Sequence, residues 1–267
     1  MIRRSIPLLG LLAWVAALTG CPVPPVISLK TIGPAQLPRE PAALERLAHE
    51  YELKNDPVSL ENCLVVRDRQ LELDRRNYEV LWHASRVAFL LADEAIGDAA
   101  KGTRRHFAQA GVDYAKQAMV VEPNRVEGTY YYAVNLGLLA TTKTVGALLA
   151  LPDLQRHAEA AIRLDETFDH AGPRRLLGAA KLKAPPQPAS IGDPEEGCEH
   201  LQRAVQIAPG YPANHLYYCE ALIANDRRDE ARRECEVVLA APPNPEWTRD
   251  LPRWRAEAER LLQRINK

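Results

Sequence analysis

The stretch from Pro212 to Asn244, PANHLYYCEALIANDRRDEARRECEVVLAAPPN, constrains the chain more than any other. Leu216, Tyr218, Cys219 and Leu222 recur at the three- and four-residue spacing that puts side chains on one face of a helix. Asn225-Asp226-Arg227-Arg228 then interrupts the pattern with a polar turn. A second stripe, Ala231, Cys235, Val238 and Leu239, begins near Asp229. Pro242-Pro243 ends it, because proline lacks the amide proton and clashes with the preceding helical turn. A pair of short helices joined this way cannot bury its apolar stripes alone, so similar pairs are expected to stack against it.

The phrase does recur. An apolar helix end followed by an acidic or small residue, often then proline, stands at Leu73-Asp74, Val121-Glu122-Pro123, Leu164-Asp165, Ile207-Ala208-Pro209 and Ala241-Pro242-Pro243. The last two are 34 residues apart and the earlier ones 48, 43 and 43, as if a 34-residue unit carried insertions. Helix, polar turn, helix and closing proline in Pro212–Asn244 resemble the tetratricopeptide repeat. Cys219 falls on the small-residue position of its first helix, and Asp229-Glu230-Ala231 on the acidic start of its second. The tryptophan, glycine and tyrosine of that first helix are missing. Gly192-Asp193-Pro194-Glu195-Glu196-Gly197, leading into Leu201, Ala204, Val205 and Ile207, is a second instance.

The resemblance implies an all-α fold: a right-handed superhelical solenoid of antiparallel helix pairs, about five units over residues 42–267. Leu251, Trp254, Ala258, Leu261, Leu262 and Ile265 mark a C-terminal capping helix. Hydrophobic residues at 46% and charged residues at 26% fit a folded chain. A weak first unit has Leu44, Leu47 and Tyr51 as one stripe, Asn55-Asp56-Pro57 as its turn and Leu60 to Leu73 as its second helix. Gln70 stands there where the family wants alanine, so the unit reads as degenerate. Residues 92–106 read as an insertion or as an extension of both neighbouring helices. The apolar stretch from Ala133 to Leu151 carries Lys143 near its centre, which argues against a membrane span.

Residues 1–20 read as a leader. Arg3-Arg4 precedes an apolar run from Ile6 to Leu18 that is too short to span a bilayer. Leu18-Thr19-Gly20-Cys21 resembles the lipobox of bacterial lipoproteins, with Cys21 as the acylated residue. Attachment to the membrane would be by lipid anchor only, and Pro22 after the cysteine implies the periplasmic face of the outer membrane. Residues 21–41 hold six prolines and read as a tether. Loss of Arg3 and Arg4 takes the net charge from −1 to −3, so no basic face is available for nucleic acid. Cys63, Cys198, Cys219 and Cys235 remain. Cysteines on helical core positions are expected free, and any disulfide is expected at Cys219–Cys235 or Cys198–Cys219.

No constellation for catalysis, metal or cofactor stands out. The seven histidines show no HExxH spacing, and CxxC, GxSxG, P-loop and GxGxxG are absent. Cys198 and His200 point in different directions from one helix. Asp165 and Asp169-His170 read as turn and capping residues. A non-enzymatic protein is expected, with an enzyme assembled from distant residues as a rival. In tetratricopeptide arrays the first helices line the concave face. Carried over, this places Trp82, Phe89, Tyr130, Val134, Leu138, Leu216 and Ile223 on an apolar inner surface suited to a hydrophobic ligand or a partner's apolar segment, or else in interhelix core.

A narrower family is suggested by Tyr130-Tyr131-Tyr132-Ala133, Leu164-Asp165 with His170-Ala171-Gly172-Pro173-Arg174 and Leu177-Gly178, Pro185-Pro186 with Ser190-Ile191-Gly192-Asp193, and Ala208-Pro209 with Asn214-His215. Together with the lipobox they resemble the T component of TRAP transporters, a periplasmic tetratricopeptide lipoprotein. That resemblance implies an accessory protein contacting the transporter's substrate-binding protein, with a hydrophobic ligand, a pore and a homotrimer among the family's features. The alternative is a generic tetratricopeptide scaffold for cell-envelope protein assembly.

Overall fold

A computed structural model describes residues 28–142 and 147–266. Its described residues form eleven α-helices: α1 Pro41–Lys54, α2 Pro57–Leu73, α3 Tyr78–Glu94, α4 Lys101–Val121, α5 Val126–Thr141, α6 Ala147–Asp165, α7 Phe168–Lys183, α8 Pro194–Ile207, α9 Pro212–Ala224, α10 Arg228–Ala240 and α11 Leu251–Ile265. Each helix packs on the next. In addition α3, α5, α7, α9 and α11 pack on one another in order, forming an inner layer backed by the even-numbered helices. α11 covers α9 and α10 at the C-terminal end. This is the all-α fold that the apolar periodicity predicts, in the stacked-pair arrangement that the tetratricopeptide resemblance implies.

Local chemistry fixes the helix starts. Asp56 accepts hydrogen bonds from the Ser59 amide at 3.0 Å and hydroxyl at 2.6 Å, Asn77 from the Val80 amide at 3.2 Å, and Asp193 from the Glu196 amide at 3.0 Å. These satisfy amides that have no partner in the first turn. Pro41, Pro57, Pro194 and Pro212 occupy first-turn positions, where the missing amide costs nothing. α7 and α8 approach so closely that a Cβ on Gly178 would lie 2.6 Å from Leu201 and 2.9 Å from the Gly197 carbonyl. Ala231 of α10, 34 positions after Gly197 of α8, is fully buried.

Several expectations are refined. Residues 92–106 are helix extension: α3 runs 17 residues and α4 runs 21, with a short connection through Gly97 between them. The apolar stretch 133–151 is shared by α5 and α6. No helix of the described residues is long and apolar enough to cross a membrane. Cys21 and Lys143 lie outside the described residues.

The tether expectation needs correction where the structure describes it. Ser28 and the Leu29 amide donate to the Glu61 carboxylate at 2.5 and 2.6 Å, the Thr31 and Ile32 amides donate to Asn62 Oδ1 at 2.7 and 3.1 Å, and Leu37 is buried. This extended segment has no ladder partner, and side chains of α2 take the amides of Leu29, Thr31 and Ile32 instead.

Gln70 is likewise part of the design of the first unit. Arg67, 1% exposed, donates to Glu45 at 2.6 Å, to Gln70 at 3.1 Å and to Glu52 at 2.9 Å. Gln70 in turn donates to Glu45 at 2.8 Å. A buried guanidinium needs this many acceptors to offset its lost hydration, and an alanine at position 70 would remove one of them. His83 and Arg86 of α3 reach Glu52 from the other side, at 3.1 and 3.3 Å.

Of the cysteines, Cys219 and Cys235 form a disulfide joining α9 to α10, with their Cα atoms 5.7 Å apart. Cys63 and Cys198 are free and buried. Sequence spacing left two pairings open because Cys198, Cys219 and Cys235 all point into one core.

Candidate functional site

The inner helices enclose a groove of about 610 Å³. Its floor is apolar: Phe89 and Leu90 of α3, Val134 and Leu138 of α5, Leu176 and Ala179 of α7, Ala213, Leu216 and Tyr217 of α9, and Leu261 of α11. Five of the seven residues expected on the concave face line it, namely Phe89, Tyr130, Val134, Leu138 and Leu216. Trp82 and Ile223 do not. Trp82 lies four residues before the lining residue Arg86, and Ile223 three residues after the lining residue Glu220, each just outside the stretch of its helix that lines the cavity. Trp82 stacks on His83 with ring centroids 3.8 Å apart and donates to Glu79 at 2.6 Å. Ile223 packs on the C-terminal core.

The cavity is not lined by apolar residues alone. Arg86, Asp93, Asp169, His170, Arg175, Lys183, Glu220, Glu246, Asp250, Arg253, Glu257 and Arg260 also line the groove. Most of them are paired with one another. Arg175 pairs with Asp169 at 3.0 Å, Lys183 with Glu220 at 3.3 Å, His170 with Glu246 at 2.7 Å, Arg253 with Asp93 at 2.7 Å and Arg260 with Glu257 at 2.5 Å. The result is an apolar floor with a rim of matched charges, the usual make-up of a binding cleft.

One rim is built from strained backbone. Asp169, His170 and Ala171 hold φ values of 51°, 53° and 63°, a left-handed turn without a glycine. Such a turn persists only where its surroundings over-determine it. Here the Tyr130 hydroxyl donates to Asp169 Oδ2 at 2.5 Å. Arg175 donates to the Asp169 and His170 carbonyls at 3.2 and 3.1 Å and to Asn214 Oδ1 at 2.9 Å. Asn214 Nδ2 donates back to the His170 carbonyl at 3.0 Å. Gly172 completes the clamp, since a Cβ there would lie 2.5 Å from the Tyr130 hydroxyl oxygen. Burial, then the charge of Asp169, raises the Tyr130 hydroxyl well above its ordinary pKa, so it remains a donor.

An aromatic wall follows. His170 stacks on Tyr211 at 4.3 Å, and Tyr211 meets Trp247 and Trp254 edge-on at 5.6 and 5.5 Å. The Arg175 guanidinium lies 4.9 Å over the Tyr211 ring. Burial pushes the Tyr211 hydroxyl up to about 12. Asp169 and His170 thus perform the turn duty the sequence suggests, and the turn delivers them to the groove. Asp165 stays a turn residue, accepting from the Thr167 amide and hydroxyl.

The charged lining residues were missed because an apolar-stripe reading skips them. The signal was present: Arg86, Phe89, Leu90 and Asp93 keep a helical i, i+3, i+4, i+7 spacing, as do Asp250, Arg253, Trp254 and Glu257. Cys198 and His200 do not form a pair. Cys198 faces Arg227 at 3.7 Å and His200 faces Arg174 at 3.2 Å. Among the described residues no group of three histidine, cysteine or acidic side chains is placed to hold a metal ion.

Residues 44–171 match the family model described as regulator of microtubule dynamics protein 1-3, and residues 192–249 match a tetratricopeptide repeat model. No curated protein sequence matches the chain. Among solved structures, a thermophilic tetratricopeptide protein of Thermus thermophilus is similar, at 15% identity and a TM-score of 0.63 over 84% of this chain and 100% of that one. The MamA protein gives 15% identity and a TM-score of 0.46 over 73% of this chain and 88% of its own. Yeast Tom70 gives 13% and 0.42 over 86% of this chain and 57% of its own. The stacked helix pairs, the repeat match at residues 192–249 and the Thermus likeness together make the chain a tetratricopeptide-type α-solenoid.

Proposed function

We propose that the chain is a non-enzymatic, protein-binding scaffold whose groove holds one segment of a partner, an apolar side chain on the floor and polar backbone against the rim. The observation that carries this reading is the floor of partly buried Phe89, Leu138, Leu176 and Tyr217 beneath charges that are mostly paired. A rim whose charges are mostly paired favours a segment with apolar side chains. A photo-activated cross-linker at Ala179, compared with one at exposed Gln117 on α4, tests it in cells. The reading expects adducts from Ala179 that Leu138→Glu and Leu176→Glu abolish while the melting temperature holds. Equal adducts from both positions, or adducts untouched by the two variants, refute it.

The placement we propose is the periplasmic face of the outer membrane, anchored through Cys21. The Leu18-Thr19-Gly20-Cys21 phrase supports it, as does the Cys219–Cys235 disulfide, a bond typical of oxidising compartments. Cys21→Ser should release the protein from membranes or leave it unprocessed. The narrower role is that of an accessory component of a TRAP-type transport system, with a substrate-binding protein as the partner. It is supported by the passages around Tyr130, His170 and Pro185. The identity of the Ala179 adduct separates it from envelope assembly, and native mass spectrometry reports any hydrophobic ligand and trimer.

A further inference from the structure

Two arginines near the C-terminus reach across to the first helices. Arg249 Nη1 donates to the Asn55 carbonyl and, at 3.2 Å, to Asn55 Oδ1, while its Nη2 pairs with Glu94 at 3.0 Å. One helical turn later, Arg253 pairs with Asp93 at 2.7 Å and with Asp250 at 3.2 Å. Arg249 and Asn55 are 194 positions apart in the chain. The solenoid therefore meets itself, and the end of α1 and the end of α3 are tied to the start of α11.

The described part of this seam is polar. The buried cluster around α1 to α5 and the one around α8 to α11 share no residue. α11 packs along α9 and α10 and not along α1 or α3. Each side is thus held by its own apolar core, while the join consists of part-exposed ion pairs and hydrogen bonds. Part-exposed pairs are individually weak, and salt screens them. Such a join can part while both cores stay folded. Asn55, Asp93, Asp250 and Arg253 also line the groove, so parting the seam widens it.

We propose that this seam is the gate of the groove: its ion pairs hold the solenoid closed, and their parting admits the partner segment. The inference rests on the groove being the binding site. It differs from that reading in needing no partner for its test. The full chain carrying Ala179→Cys is treated with iodoacetamide or with a maleimide bearing a long polymer, and modification at that position is read by peptide mass.

The seam predicts that Arg249→Ala with Arg253→Ala speeds the bulky reagent roughly tenfold, as loss of two to three weak pairs would, and leaves the small one nearly unchanged. Raising salt should speed the bulky reagent on the intact seam. Arg253→Lys with Arg249 intact, which keeps the charge facing Asp93 and Asp250, should keep the slow rate. Buried Cys63 reports unfolding. If it reacts faster in the variants, the salt series on the intact seam decides instead. A bulky-reagent rate indifferent to salt and to the double variant overturns the gate, whatever the cross-linking from Ala179 shows about partners.

Discussion

Glu52 offers the sharpest test of how the first unit is held. It is 8% exposed on its side chain and sits among Arg67, His83 and Arg86. Burial pushes its carboxyl up, but the hydrogen bond and charge of His83, then the charges of Arg67 and Arg86, outweigh burial and hold it at about 2 against an ordinary 4.5. The folded pKa lies below the unfolded one, so the stability this group contributes is complete above pH 4.5 and is lost as pH falls through 2. At 1.36 kcal/mol per pH unit the gap is worth roughly 3 kcal/mol.

Glu52→Gln keeps the shape and removes the charge. The variant should be about 3 kcal/mol less stable than the parent at pH 7. The two should converge towards pH 2, where the parent's own carboxyl is protonated. Urea unfolding followed by circular dichroism at several pH values measures this directly. Glu45, Glu127, Asp153 and Glu166 are also lowered. The acid losses of Glu127, Asp153 and Glu166, which share no partner with Glu52, are common to both proteins and cancel in the difference. A difference that stays constant from pH 7 to 2, or one near zero at pH 7, would refute the claim that Glu52 is the charge that matters.

Three further outcomes are expected. Cys219→Ser with Cys235→Ser opens a bridge of sequence separation 16 and should cost about 3 kcal/mol by the loop-entropy relation, visible as a lower urea midpoint that reductant reproduces in the parent. Gly178→Leu must displace Leu201 or the α8 backbone and should cost roughly 1–3 kcal/mol or more, whereas Gly210→Ala, with open space at its Cβ, should leave the melting temperature unchanged. His215 is pushed down by burial but raised overall by hydrogen bonds to Glu234 at 2.6 Å and to the Pro209 carbonyl at 2.7 Å. Its contribution is therefore present below the ordinary 6.5 and lost as pH rises through the raised folded value, and His215→Gln should flatten the stability profile on that alkaline side.

What the sequence showed and what it hid have the same cause. Apolar spacing is a local signal, so α9, α10 and their turn, and the capping stripe of α11, are legible residue by residue. The Asp56, Asn77 and Asp193 caps are local too. Interactions between distant charged residues leave no such trace. Gln70 looks like a lapse from the repeat until Arg67, Glu45 and Glu52 are seen around it. Arg175 looks like a surface arginine until the left-handed turn at 169–171 turns two carbonyls towards it. Docking of residues 28–32 depends on Glu61 and Asn62, which a helix pattern counts as solvent-facing.

The groove also shows why its recognition and its stability are only partly separable. An inner helix must pack on its neighbours with the same face that meets the cavity, so its lining residues fall into two groups. Tyr130 at 4%, Val134 at 8% and Leu216 at 8% exposure are core side chains that merely touch the cavity. Changing Tyr130 would also release Asp169 from the strained turn, so its loss should unfold the unit before it tells anything about binding. Phe89, Leu138, Leu176 and Tyr217 are only partly buried and keep some of their surface for a ligand. Truncating these leaves no sealed cavity behind, which limits the cost to lost burial of a part of each side chain. Selectivity can therefore drift at these four positions while the fold stays put. A variant set confined to them reads the partner's chemistry, and one that includes Tyr130 reads folding.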